Sequence, residues 1–184
     1  MTTERDEVVE TGGRARGDRF PELFEAYQPA LRRLVGVYAE NAADRDDLLQ
    51  DIAVGIWRAL PGFRGDSSER TWIYRIAHNI AIRSTSKTRA LNAREPMLAH
   101  TFDVPSQDVS AVEALMLNER RQALMNGIRG LPVLDRQIVT LHLEGLSAEE
   151  ITDVTGVSQG AVATRLTRIR QKLAEQVRAE GAES

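Results

Sequence analysis

The chain has 184 residues, of which 42% are hydrophobic, 28% charged and 5% aromatic, enough apolar material for one large or two small helical cores and too few rings for a typical β-sandwich. It has no cysteine, which excludes disulfides and a cysteine-ligated zinc and fits a reducing compartment. Net charge is −3, no apolar run approaches the roughly 18 residues of a membrane span, and the start MTTERDEVVETGG is too charged for a signal peptide, so a cytoplasmic chain without a membrane span is expected.

In chain order, residues 1–18 are charged, Gly-rich and aperiodic, which predicts a disordered arm. From Phe20 the apolar residues Leu23, Phe24, Tyr27, Leu31, Leu34, Val35 and Tyr38 recur with helical spacing, and Pro29 is expected to split or kink that helix. Asp44 is read as the N-cap of a second helix that turns Leu49, Ile52, Ala53, Ile56 and Leu60 inward and stops at Pro61-Gly62. A loop over 63–68 leads to Ser67 or Ser68 as cap of a helix ending near Arg89. Residues 90–112 hold two prolines and little periodicity, the mark of a flexible linker. Two further helices, over 112–131 and 132–145, precede the capping box Ser147-Ala-Glu-Glu150, a turn at Thr155-Gly156-Val157, and a final helix that Ser158 caps and that runs to about Arg178. No strand pattern or repeat stands out, so the fold class is all-α, with two helical domains over 19–89 and 113–178 and a short tail at 179–184.

The charge is unevenly distributed. Residues 63–94 carry 7 basic groups against 2 acidic, and Arg165, Arg168, Arg170 and Lys172 lie in a stretch, 158–172, without an acid. Local field rather than net charge decides phosphate binding. In the stretch RTWIYRIAHNIA (70–81), Ile73, Ile76, Ala77 and Ile80 form one apolar stripe. Trp72, Arg75, Asn79 and Arg83 form another that a core has little use for. At the other end, a short helix, a turn containing Gly156 and a basic helix make a helix-turn-helix pattern; Val162, Leu166, Ile169 and Leu173 face inward and the basic residues project elsewhere.

Together these segments resemble the extracytoplasmic-function (ECF) sigma factors of bacterial RNA polymerase. DRDDLLQDIAVGIW (44–57) is similar to the family's polymerase-clamp-binding helix, FRGDSSERTWIYRIAHNIA (63–81) to its promoter-melting and minus-ten segment, and the stretch 131–173 to its minus-thirty-five-binding domain. The resemblance runs from about Phe20 to Leu173 in the family's order. It implies a region 2 bundle and a region 4 helix-turn-helix joined by a linker, with core polymerase (clamp of the largest subunit, flap of the second-largest), promoter DNA and an anti-sigma factor as partners.

Residue by residue, the resemblance implies core-polymerase contacts at Asp47, Gln50, Asp51 and Val54, where acids and an amide suit a basic coiled coil. For the minus-ten element it implies Arg64, Gly65, Asp66, Ser67, Ser68, Arg70, Trp72, Arg75, Asn79 and Arg83. Of these, the loop 65–68 would hold a flipped base, Trp72 would stack, Asn79 would read a base edge and the arginines would contact phosphates. Tyr74 can stack as well, or bury beside His78. For the minus-thirty-five element it implies Ser158, Gln159, Ala163, Thr164, Arg165, Thr167, Arg168 and Arg170, with Thr164, Thr167 and Arg168 on bases and Arg165 and Arg170 on phosphates.

Four positions depart from the family pattern. His78 and Ala163 stand where a basic residue is frequent, Arg83 where an acid or amide is common, and Ala53 where an aromatic is usual; these bear on promoter choice. No cofactor, metal site or enzymatic activity is expected: there is no glycine-rich phosphate loop, nucleophile–histidine pair or ligand cluster, and the chain has 3 His. Two rival readings remain: a stand-alone helix-turn-helix regulator binding palindromic duplex as a dimer, with 44–83 as core only, and a bundle that binds a protein partner.

Overall fold

In a computed structural model the chain divides into two compact units, Met1–Ala93 and Arg94–Ser184. The structure describes residues 19–92 and 121–182, so the predicted N-terminal arm, most of the linker and the end of the tail lie outside the described residues. The described residues are helical apart from their turns.

The first unit holds α1 (Phe20–Tyr38), α2 (Ala42–Ala59), a 3-10 turn over Leu60–Gly62, and α3 (Glu69–Asn92). α1 is unbroken through Pro29. Pro29 is exposed, so the Glu25 carbonyl that loses its partner can be hydrated, and the apolar face on either side keeps one register. The cap of α2 is Asn41, not Asp44: its side-chain oxygen accepts from the Asp44 N–H at 2.7 Å, and the Asp44 carboxylate accepts from the Asn41 amide at 2.8 Å. Arg45 reaches back to the carbonyls of Ala39 and Glu40, at 3.1 and 2.5 Å, and closes the α1–α2 corner. Leu31, Leu34, Ile52, Ile56, Ile73 and Ala77 make the center of the core. α2 and α3 approach closely at Gly55, where an added Cβ would lie 2.3 Å from the end of the Ile80 side chain. Arg19 and Glu69 form an ion pair between the starts of α1 and α3.

His78 is completely buried on α3, and its Nδ1 lies 2.9 Å from the Tyr38 hydroxyl of α1. Burial holds its pKa down to about 3. In the unfolded chain the imidazole takes a proton near its ordinary pKa of about 6.5, while in the fold it stays neutral, so stability is full above that value and falls with pH toward 3. Lowering pH from 7.5 to 5.5 should therefore cost about 1.4 kcal/mol in urea unfolding through this residue alone. His78→Gln should flatten that limb, whatever its effect at pH 7.5. An unchanged slope in the variant would remove His78 as its source.

The second unit holds α4, described over residues 121–129, then α5 (Val133–Leu143), α6 (Ala148–Thr155) and α7 (Gln159–Ala182). α5 is central: Asp135 to Leu141 are all buried. A helix buried all round must settle its polar groups internally. Arg136 does so by donating to the carbonyls of Arg129 and Leu131 where α4 ends, Thr140 by donating to the Arg136 carbonyl at 2.8 Å, and Asp135 by pairing with Arg165 of α7 at 2.5 Å. Gly145, at φ 79°, stops α5, with the Leu146 N–H bonded to the Leu141 carbonyl.

Candidate functional site

Three exposed surfaces carry the chemistry. On α2 the core takes Leu48, Leu49, Ile52 and Ile56, which turns Asp47, Gln50, Val54 and Trp57 outward, with Asp51 and Arg58 beside them. The surface is acidic at its start and apolar farther on: Val54 is 38% and Trp57 54% exposed. A half-exposed tryptophan next to an exposed valine has no role in the core and suits the center of a protein interface.

On α3 two sides are occupied by packing. Ile76 and Ile80 meet Gly55 of α2, Ile73 and Ala77 are buried beside them, and Thr71, Tyr74, His78 and Ala81 are buried on the adjoining side. The remaining arc carries Trp72 and Arg75, half-buried, and Asn79 and Arg83, exposed. The Trp72 ring is braced by Phe63, with centroids 4.9 Å apart and planes tilted 46°, so one face of the indole is supported by the loop that precedes the helix. That loop has Gly65 at φ 82°, an Arg64–Asp66 ion pair at 3.2 Å, and Ser68 capping α3 by accepting from the Thr71 N–H at 3.0 Å. Arg64, Gly65, Asp66 and Ser68 are exposed and Ser67 half-buried. Tyr74 does not join this surface. It is buried with its ring 6.4 Å from that of His78, and the guanidinium of Arg70 lies 6.0 Å from its centroid. The buried His78 likewise cannot touch a phosphate, so its difference from the family's basic residue bears on packing.

The third surface is the helix-turn-helix. Ser147 accepts from the Glu150 N–H at 3.1 Å and its own N–H donates to the Glu150 carboxylate at 2.8 Å, the full capping box. Gly156 at φ 74° ends α6, and the Thr155 hydroxyl accepts from the Val157 N–H at 3.2 Å within the turn. α7 then buries Val162, Ile169 and Leu173. Its outward arc is Gly160, Ala163, Thr164, Thr167, Arg168 and Gln171, all exposed. Ser158 and Gln159 are exposed at its start, where the Ala161 N–H meets the Ser158 hydroxyl at 3.4 Å.

Two arginines of α7 are engaged inside the unit. Arg165 is tied to Asp135, and the Arg170 guanidinium donates to His142 Nε2 at 2.9 Å. The ion pair spends the charge of Arg165, so a phosphate contact there is the weaker assignment; Arg170 remains exposed and keeps donors to spare.

Residues 121–173 match the family model for sigma-70 region 4. Residues 23–90 match sigma-70 region 2, a domain that a stand-alone helix-turn-helix regulator does not call for. The ECF RNA polymerase sigma-E factor of Escherichia coli strain K12 is 33% identical over 183 residues, covering 88% of this chain and 89% of that protein. The chain belongs to the ECF sigma factors.

The sigma-H factor of Pseudomonas aeruginosa is 32% identical over 184 residues, covering 94% of both chains. The same fold occurs in the sigma factor RpoE of Bartonella quintana, solved in complex with the anti-sigma factor NepR, at TM-score 0.69 and 20% identity over 86% of this chain and 96% of that one. It also occurs in CnrH, solved with the cytosolic domain of CnrY, at TM-score 0.64 and 22% identity over 93% and 95%. As an ECF sigma factor the chain is a specificity subunit that associates with RNA polymerase and binds promoter DNA. Among the described residues no helix is long and apolar enough to cross a membrane, and no group of three metal-ligating side chains occurs. Trp57 is an exposed aromatic of this sigma factor to which the sequence alone assigned no place. It falls outside the inward set of α2, and an aromatic that the core pattern leaves out is itself the signal.

Proposed function

We propose that the first unit docks on core polymerase through Asp47, Gln50, Asp51, Val54 and Trp57, and then holds separated minus-ten bases on the face made by the 64–68 turn, Trp72, Arg75, Asn79 and Arg83. α7 enters the major groove of the minus-thirty-five element. The reading rests most heavily on the outward arc of α3: with both flanks of the helix packed, an indole braced on one side and an exposed amide are aimed away from the core. Stacking on an aromatic contributes about 1–3 kcal/mol per base, and opening duplex costs about 1.4 kcal/mol per step. A few captured bases with phosphate contacts from Arg64, Arg75 and Arg83 therefore hold a bubble, and no chemistry by the protein is required.

On polymerase, the clamp of the largest subunit fits the acidic and apolar surface of α2. The flap of the second-largest fits the second unit, where Leu124 and Leu143 are 37% and 62% exposed. The relative solved with an anti-sigma factor supports an inhibitor of that kind here as well. The chain acts where polymerase and promoter are, in the cytoplasm.

Asn79 gives the test. Asn79→Ala should leave duplex binding by the holoenzyme within about two-fold and reduce permanganate-reactive thymines in the open complex several-fold, in line with the loss of one base-edge contact worth about 1–3 kcal/mol. Normal bubble reactivity in the variant would remove Asn79 from base capture.

A further inference from the structure

The recognition helix offers methyl groups where polar readers are expected. Thr164 donates its hydroxyl proton to the Gly160 carbonyl at 2.9 Å, and Thr167 donates to the Ala163 carbonyl at 3.1 Å. A threonine hydroxyl has one proton, so both are spent on the helix backbone. With its proton committed to the backbone, each hydroxyl can accept from a base edge but not donate to one, and each residue also carries a methyl; Ala163 beside them adds a third. All three are exposed on the arc opposite Val162, Ile169 and Leu173. Within that arc the charged donor is Arg168, which is exposed.

In the major groove, the base edge that complements a methyl is the thymine C5-methyl; guanine presents acceptors and cytosine a donor. We propose that this sigma factor selects A·T pairs in its upstream element through thymine methyl contacts to Ala163, Thr164 and Thr167, with Arg168 supplying the charged contact at the flank. The inference rests on the reading above, that α7 enters the major groove, and it specifies what the helix reads there. Thr164 and Thr167 are three residues apart, about 4.5 Å along the axis. Base steps repeat at about 3.4 Å, so the two threonines are far enough apart to meet neighboring pairs.

The test uses the full chain assembled with core polymerase. An upstream element is selected from duplexes randomized in that region, and its thymines are then replaced singly by uracil, which removes only the methyl. Holoenzyme binding should weaken about four-fold per contacted thymine, the effect of one buried methyl-sized group. Thr164→Ser, which keeps the hydroxyl and loses the methyl, should abolish the thymine-to-uracil ratio at its own position. Thr164→Val, which keeps a methyl and loses the hydroxyl, should preserve that ratio whatever its absolute affinity. Equal binding of thymine and uracil throughout, or a ratio that survives Thr164→Ser and disappears in Thr164→Val, overturns the proposal while leaving groove entry intact. If the holoenzyme selects no upstream sequence at all, groove reading by α7 fails, and the proposal with it.

Discussion

Replacing Trp57 with alanine is expected to weaken core-polymerase binding by about 30-fold or more, with the helical content unchanged. The indole is 54% exposed, so its truncation opens no cavity in the unit. Tryptophans at the center of interfaces typically carry about 2 kcal/mol or more, and 2 kcal/mol is about 30-fold in Kd. Its neighbors should behave differently. Val54→Ala removes less surface and should cost a few-fold, while Asp47→Asn and Asp51→Asn act by attraction at a distance and should chiefly slow association and flatten its salt dependence. Competition of labelled wild-type chain for core polymerase measures all four. A Trp57→Ala chain that competes as well as wild type would place the contact elsewhere.

The second large effect concerns Arg165. Its side chain is 32% exposed, and that of its partner Asp135 is 12% exposed. Removing Arg165 leaves a mostly buried carboxylate without its counter-charge. Breaking a fully buried pair costs about 3–5 kcal/mol, and the partial exposure of Arg165 reduces this to about 2 kcal/mol for Arg165→Ala. Asp135→Ala should cost less, since the released guanidinium can turn to water. The double variant Asp135→Ala/Arg165→Ala should be milder than Arg165→Ala alone, because no lone charge remains, and it should keep the wild-type salt slope of DNA binding. A phosphate-contacting Arg165 predicts the opposite pattern: little change in stability, and a salt slope reduced by about 1 in every variant lacking the arginine. Urea unfolding and binding titrations at two salt concentrations separate the two.

Helix periodicity, the capping box at Ser147 and the turn at Gly156 were legible from residue order alone, because each is decided within a few residues. The outward set Trp72, Arg75, Asn79 and Arg83 was legible for the same reason, being what the apolar stripe leaves over. What stayed hidden depends on distant partners. The acid that neutralizes Arg165 lies 30 residues earlier, so an acid-free stretch on α7 overstated the charge it offers to DNA. Tyr38 meets His78 from 40 residues away, and only that contact shows why the imidazole is interior. The hydrogen bond that Pro29 removes is plain in residue order, but the exposed face that lets water replace it is not, and Asp44 looks as good a cap as Asn41 until the Asp44 N–H is seen to donate to Asn41. Nor does residue order show that Thr164 and Thr167 donate their hydroxyl protons to the carbonyls of Gly160 and Ala163.

The most direct measurement is run-off transcription with purified core polymerase on a promoter obtained by selection with the holoenzyme. A transcript from one start site is expected with chain and core together and with neither alone, and it should be lost in Trp57→Ala at limiting chain. A chain that binds duplex DNA as a dimer but never moves the polymerase to a new start site would contradict the account.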